Sequence, residues 1–561
     1  MPVGPSRHVP RRRTPALLAG VAGLATVALT AGCSAVTPAG EAGATTGGAG
    51  SSSGSADKFG TPATAGEVTN GGTLVMALSA EPDKLDPALS RSLYSRYVFN
   101  AMCEKLYDVD QSAKIVPQLA TALPTTSSDG KTVTIPVREG VKFADGTPFD
   151  AAAVKANFDR DLTLSGTARK SELGPIDTVE ATDAKTVVVH LKQPFAPLTA
   201  ALTDRAGMVV SPTAAAAAGA NFANNPVCVG PFKFSKRVPQ NSIDLVKDPN
   251  YYDAAKVHYD GLSYRIITDA NIRSANLRSG DVQVADSLST QDVPTLQKDT
   301  SLTVLSSQSL GYQGLTFNTG NVAGVGKPAQ KIDRPEASNP VVRQAFDLSI
   351  DRAGLVKVIF NDLNTVACSP ISPQSEFSST TSQACPAHDP AKAKQLLQSA
   401  GVTVPFPIEM SISNNPDSLR FAQALQAMVK DGGFDLKIKP VEYAALLDQQ
   451  DRGEFSLLAL GWSGRIDPDA NITNFVGTAA SQNVGAYSNP QVDQLLTQAR
   501  QSNDLAQRKD LYGQVVTQLQ KDDPLIYLYR QRNLTGVTTK VKGVQVFPDG
   551  VIRVAFAGTA K

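Results

Sequence analysis

The window from residue 407 to 461 constrains the fold most. PIEMSIS has strand character, and Pro416 to Lys430 carries Leu419, Ala422, Leu425 and Val429 at helical spacing. DLKIKPV reads as a second strand, EYAALLDQQ as a second helix, and FSLLAL as a third strand that is apolar throughout. Strand–helix–strand–helix–strand with short links predicts a parallel sheet with right-handed crossovers. An all-apolar strand fits one covered on both faces. The stretch GWSGRIDPDANITNF, Gly461 to Phe475, begins where that third strand ends and holds Trp462, the only tryptophan. Ligands of open α/β sheets sit beyond the carboxyl ends of the strands, which makes this loop the first candidate site.

Helix punctuation extends the same lobe. Asp389-Pro390 before AKAKQLLQSA, with Gly401 after it, supplies an N-cap, a first-turn proline and a C-terminal glycine. Asp351 can cap RAGLVKVIF. Elsewhere TLVMAL, TVTIPV, TVVVHL, SIDLVK, LSYRII and LTVLSS read as strands, and no repeat of 20 to 50 residues is present, so mixed α/β lobes are expected rather than a solenoid. The roughly 490 residues beyond the N-terminal region are too many for one core and suggest two or three lobes. A net charge of +1 implies no chain-wide attraction to nucleic acid.

The N-terminus reads as an export signal: Arg7, Arg11, Arg12 and Arg13 precede the apolar PALLAGVAGLATVALTAG and Cys33. An uncleaved anchor is the alternative, and Sec and twin-arginine export both stay open. Thr30-Ala31-Gly32-Cys33 resembles the lipobox of bacterial lipoproteins, although the usual leucine three before the cysteine is Thr30 here. The resemblance implies an acylated Cys33 as the mature N-terminus. Residues 34 to 70 are nearly all Ala, Gly, Ser and Thr, too poor in apolar surface to offset their ordering entropy, and are expected to be a flexible tether. Four cysteines remain, an even number in an exported chain. Cys368–Cys385 and Cys103–Cys228 are the preferred pairing, with four free thiols as the alternative; the shorter loop would contribute roughly 3 kcal/mol.

Enzyme signatures fail in turn. GWSG does not complete a nucleophile elbow, because the required glycine is Arg465. GNVAGVGKPA lacks the hydroxyl of a phosphate loop, since Pro328 follows Lys327. Of His8, His190, His258 and His388, no two lie at metal-ligand spacing. No cofactor or metal is expected, and no positive sign of catalysis is present.

Several blocks in order carry a family resemblance: GGTLVMALSAEPDKLDPALS, IVPQLATALP, VREGVKFADGTPFDAAAVKANFD, GPFKF, DPNYYD, NPVVRQAFDLSIDRAGLVKVIF and YSNPQVDQLL. Over roughly residues 70 to 530 the chain resembles the family 5 solute-binding proteins, extracytoplasmic receptors of peptide-type ABC importers. The resemblance implies an α/β periplasmic-binding-protein fold, a hinged trap of two lobes with a smaller extra domain in the N-terminal lobe. After a signal at 1–32 and a tether at 33–69, the first lobe would hold 70–112, 194–309 and 525–561. The extra domain would hold 113–193 and the second lobe 310–524. It further implies a monomeric receptor, lipid-anchored to the outer face of the bacterial cell membrane. Its partners would be a peptide or peptide-like solute and permease subunits with a separate ATPase. An opine, sugar conjugate, metal chelate or haem as solute, or a hydrolase or signalling role, stays open.

Within the loop, Trp462 matches a cleft tryptophan of the family, with a lobe-core tryptophan as the other reading. Gly461 and Ser463 flank it as ligand-binding candidates. Arg465 departs from the family pattern, in which several peptide receptors place here an aspartate that pairs with the peptide's α-ammonium group. Either Asp467 or Asp469 takes over, or the solute offers an anionic or uncharged end to Arg465, or Arg465 pairs with Asp467 or Asp469 and braces the loop. Asp469 is also readable as a turn and helix-cap residue. Glu81, Tyr94 and Asn318 are further cleft candidates, while Arg343 is expected to hold its helix in place.

Overall fold

The computed structural model describes residues 56–561. The signal segment, Cys33 and the tether up to residue 55 lie outside the described residues. Two principal sheets alternate along the chain. The first has seven strands in the order Leu302–Gln308, Arg532–Thr538, Val284–Ala285, Thr73–Leu78, Gly261–Ile266, Ser242–Lys247 and Phe232–Val238. Thr73–Leu78 runs parallel to both its neighbours, and Met76, Ala77 and Leu78 are all buried, as a strand covered on both faces requires.

The second sheet has six strands in the order Thr365–Val366, Leu525–Arg530, Tyr312–Phe317, Leu457–Trp462, Phe406–Ser413 and Phe434–Val441. Phe406–Ser413 is parallel to Phe434–Val441 and to Leu457–Trp462, with helices Pro416–Val429 and Tyr443–Asp451 between them, the unit expected from residues 407 to 461. Asn415 caps the first helix by accepting from the Ser418 N–H. Its buried face is Phe421, Ala422, Leu425 and Val429, so the aromatic Phe421 rather than Leu419 starts the stripe. Asp389 and Asp351 cap their helices as predicted, accepting from the backbone N–H groups of Lys392 and Gly354.

A smaller four-stranded antiparallel sheet comprises Thr125–Thr126, Thr132–Pro136, Thr186–Leu191 and Ile176–Asp183. Its core extends from Leu106 to Val229, beyond the 113–193 expected for an extra domain, because Phe195, Leu198 and Leu202 pack into it. The chain crosses between the principal sheets twice. Residues 309–311 separate Leu302–Gln308 from Tyr312–Phe317, and Gln531 alone separates Leu525–Arg530 from Arg532–Thr538. The crossings are adjacent, since the Ser309 N–H donates to the Gln531 carbonyl at 3.2 Å.

Two expected boundaries are corrected. Leu525–Arg530 belongs to the second sheet, so the return to the first lobe falls at Gln531 and not at 525. The tether expected through residue 69 is placed against the first lobe from its last fourteen or so residues onward: Asp57 pairs with Arg532 at 2.7 Å, and Val68–Thr69 pairs with Gly558–Ala560. Cys103 is bonded to Cys228 and Cys368 to Cys385. Among the described residues no helix is long and apolar enough to cross a membrane.

Candidate functional site

The strand ends converge on a cavity of ≈ 260 Å³ between the two lobes. Ser79 follows Thr73–Leu78, Ser413 closes Phe406–Ser413, and Gly461 and Trp462 close Leu457–Trp462; all four line the space. Tyr94, Tyr97 and Arg273 contribute from the first lobe, and Phe421, Tyr443 and Tyr529 from the second.

The loop after Trp462 is shaped by two glycines and an asparagine. Gly464 has φ +84°, and a Cβ there would lie 2.3 Å from the Gly311 nitrogen. A Cβ on Gly311 would lie 1.8 Å from the Trp462 carbonyl oxygen, so the loop seats directly on one crossing between the lobes. The Asn471 Oδ1 accepts from the Trp462 Nε1–H at 2.8 Å and from the Arg465 N–H at 2.7 Å, while its amide donates to the Arg465 carbonyl at 2.8 Å. The indole packs edge-on against Phe475 at 4.9 Å. Trp462 is thus both buried in its lobe and part of the cavity wall, which joins the two readings of the sequence. Nothing local in the sequence marks Asn471 as the residue that holds the loop.

Arg465 does not reach the cavity, and its partner is neither Asp467 nor Asp469. Its guanidinium lies 4.2 Å over the Trp462 ring, donates to the Gly464 carbonyl at 2.7 Å, and forms an ion pair with Asp204 of the opposite lobe. Asp204 also accepts from Arg96 Nε at 2.9 Å and has Arg205 3.5 Å away. Arg96 in turn reaches Ser463 Oγ at 3.2 Å and the Asp549 carbonyl at 2.8 Å. Burial alone would raise the Asp204 pKa, but Arg465, Arg96 and Arg205 overcome it and hold the carboxyl well below the usual range.

The other acids of the loop are also engaged elsewhere. Asp467, rather than Asp469, caps helix Pro468–Val476, and its two carboxylate oxygens accept from Arg508 Nη2 at 2.8 and 2.9 Å. Asp469 lies inside that helix and is held by Arg500 at 2.7 Å. Glu81 and Asn318, expected at the cleft, are drawn away from it. Glu81 accepts from Arg237 Nε at 3.0 Å and from the Gln240 N–H at 2.8 Å. Asn318 spans the turn at residues 318–321 and the Gly453 carbonyl. Arg343 holds its helix as expected, donating to the carbonyls of Asp522, Glu336 and Ala337. Gly461, Trp462, Ser463 and Tyr94 stay on the wall.

Direct contacts join the lobes around the cavity. Arg91 pairs with Asp451 at 2.5 Å, the rings of Tyr94 and Tyr443 meet edge-on at 5.4 Å, and Ser289 donates to Asp417 at 3.3 Å. The lobes are therefore closed. The wall carries Arg91, Arg273, Arg420 and Arg532, and each is paired with an aspartate: Asp451, Asp286, Asp417 and Asp57 in turn. Among the described residues no group of three or more His, Cys, Asp or Glu could hold a metal ion.

Residues 114–483 match the profile of the bacterial extracellular solute-binding proteins, family 5. The glutathione-binding protein GsiB of Pectobacterium atrosepticum is 29% identical over 487 residues, covering 85% of this chain and 92% of that protein. Among solved structures, the periplasmic binding protein AgaA of A. tumefaciens R10 in complex with agropinic acid is 26% identical with a TM-score of 0.78, covering 87% of this chain and 99% of that one. The periplasmic binding protein DppA of Helicobacter pylori in complex with the peptide STSA is 25% identical with a TM-score of 0.79, covering 88% and 99%.

Proposed function

Because the chain belongs to family 5 of the bacterial extracellular solute-binding proteins, we propose that it captures a small peptide or peptide-like solute bearing a free carboxylate. The observation that carries this reading is a cavity shared by two lobes whose wall holds Arg420, the most exposed of its arginines. Guanidinium groups form short, charge-assisted hydrogen bonds to carboxylates. The cavity volume of ≈ 260 Å³ lies near the lower edge of the about 300–1,000 Å³ usual for ligand sites, which favours a solute of a few residues over a long peptide. Relatives that bind glutathione, a short peptide and agropinic acid are consistent with such a solute.

In this reading Trp462 and Tyr94 are apolar walls, and Gly461 and Ser463 offer polar groups beside them. Arg465 acts through Asp204 on closure rather than on the solute. Closure is a population shift, because a solute touching both lobes favours the state in which they meet. The receptor makes and breaks no bond; an ABC permease with a separate ATPase takes the solute onward. An acylated Cys33 and the Ala/Gly/Ser/Thr-rich segment after it would hold the monomer at the outer face of the membrane.

Titration calorimetry with glutathione, Ala-Leu and agropinic acid tests the reading. Saturable binding of at least one peptide is expected, weakened about tenfold or more when its C-terminal carboxylate is amidated. Binding of agropinic acid alone would favour an opine-type solute, for which the same exposed Arg420 is the supporting observation. Binding of none, or peptide hydrolysis seen by mass spectrometry, would overturn the receptor reading.

A further inference from the structure

We infer that Asp417 and Arg420 together read an α-amino-acid head group, an ammonium and a carboxylate on one carbon. The solute would then be linked to its remainder through its side chain, as in a γ-glutamyl peptide. The inference rests on the peptide-like reading of the cleft given above and narrows it. Charged groups elsewhere on the cavity wall are committed to the protein. Arg273 is buried, lies 3.6 Å from Asp286 and donates to the carbonyls of Ile267, Thr268 and Ser287. Arg91 spans the lobes to Asp451, and Arg532 reaches Asp57. The loop after Trp462 offers no free acid, since Asp467 and Asp469 are held by Arg508 and Arg500.

Asp417 and Arg420 differ in exposure, chemistry and position. Their side chains are 36% and 38% exposed, against 15%, 3% and 7% for Arg91, Arg273 and Arg532. Among the described residues Asp417 is the one carboxylate that lines the wall. The two sit three residues apart at the start of helix Pro416–Val429, joined by a single bond of 2.6 Å from Arg420 Nη2 to Asp417 Oδ1. An acid and a guanidinium side by side complement a zwitterion in which both charges hang from one carbon.

The surroundings fit the same ligand. Ser289 of the opposite lobe donates to Asp417 at 3.3 Å and lies 3.5 Å from Arg420, so the site is complete only when the lobes meet. Tyr529 packs on Phe360 at 4.4 Å and on Phe421 at 6.0 Å, and all three rings line the same cavity.

The isomers γ-Glu-Ala and α-Glu-Ala carry the same atoms and charge, but only the first keeps an intact α-amino-acid head. Calorimetry of the full mature chain is expected to show γ-Glu-Ala binding at least about tenfold more tightly. Asp417→Asn and Arg420→Gln should each collapse that preference toward unity while leaving the melting temperature unchanged, an outcome that a purely structural pair would not give. Equal binding of the isomers by the wild-type chain, or a preference that survives both substitutions, would overturn the assignment. Binding of Ala-Leu and α-Glu-Ala without γ-Glu-Ala would overturn it while leaving the peptide reading intact. Binding of no peptide would remove both.

Discussion

Arg465 carries its charge away from the cavity and across to Asp204, so its role is tied to closure. Breaking a buried pair by removing one partner costs about 3–5 kcal/mol, and in Asp204→Asn the share owed to Arg465 falls on the closed state, because Arg96 and Arg205 lie in the same lobe as Asp204. Asp204→Asn is expected to weaken binding of a peptide probe about a hundredfold or more in calorimetry. A double-mutant cycle with Arg465→Met should give a coupling of about 1–3 kcal/mol; additive effects would separate the two residues. Glu104 gives a pH signature. Burial raises its pKa to about 7 from an ordinary 4.5, against the lowering effect of the Tyr251 and Tyr252 hydroxyls. The folded form holds the proton more tightly, so the stability it contributes is complete below 4.5 and is lost as pH rises through 7. Melting temperature should fall between pH 5 and pH 8, and Glu104→Gln should flatten that fall, which corresponds to on the order of 2–3 kcal/mol. An unchanged slope would contradict the assignment. Trp462 was legible as a wall residue because it ends an apolar strand of a parallel unit. The partner of Arg465 was not legible, because Asp204 lies in another lobe's sequence and no local spacing joins them.

At the scale of elements, the parallel unit over residues 407 to 461 could be read because helical and strand periods alternate there without interruption. The boundary at Gln531 could not. LIYLYR and RNLTGVT are separated by one residue, and no change of period marks the passage from one sheet to the other. Residues 56 to 69 escaped for a related reason: they are ordered by backbone pairing and by the Asp57–Arg532 contact, not by an apolar stripe. The disulfides join elements at different ranges, with separations of 125 residues for Cys103–Cys228 and 17 for Cys368–Cys385. Chain-entropy reasoning assigns about 4–5 kcal/mol to the first and about 3 kcal/mol to the second. Chemical denaturation of the double alanine variants should therefore show the larger loss for Cys103→Ala/Cys228→Ala, and the reverse order would count against an entropic origin.

For the whole molecule, two adjacent crossings at residues 309–311 and Gln531 are the mechanical link, and the Trp462 loop rests on one of them through Gly311 and Gly464. A solute at the cavity wall, the loop and the Arg465–Asp204 pair are thereby parts of one closing surface. The central claim is that this surface encloses a small, carboxylate-bearing peptide-like solute. Native mass spectrometry of the protein purified from its source tests it most directly. A non-covalent adduct is expected that dissociates to a small peptide or amino-acid conjugate with at least one free carboxylate. A metal chelate, haem or an uncharged sugar in its place would contradict it.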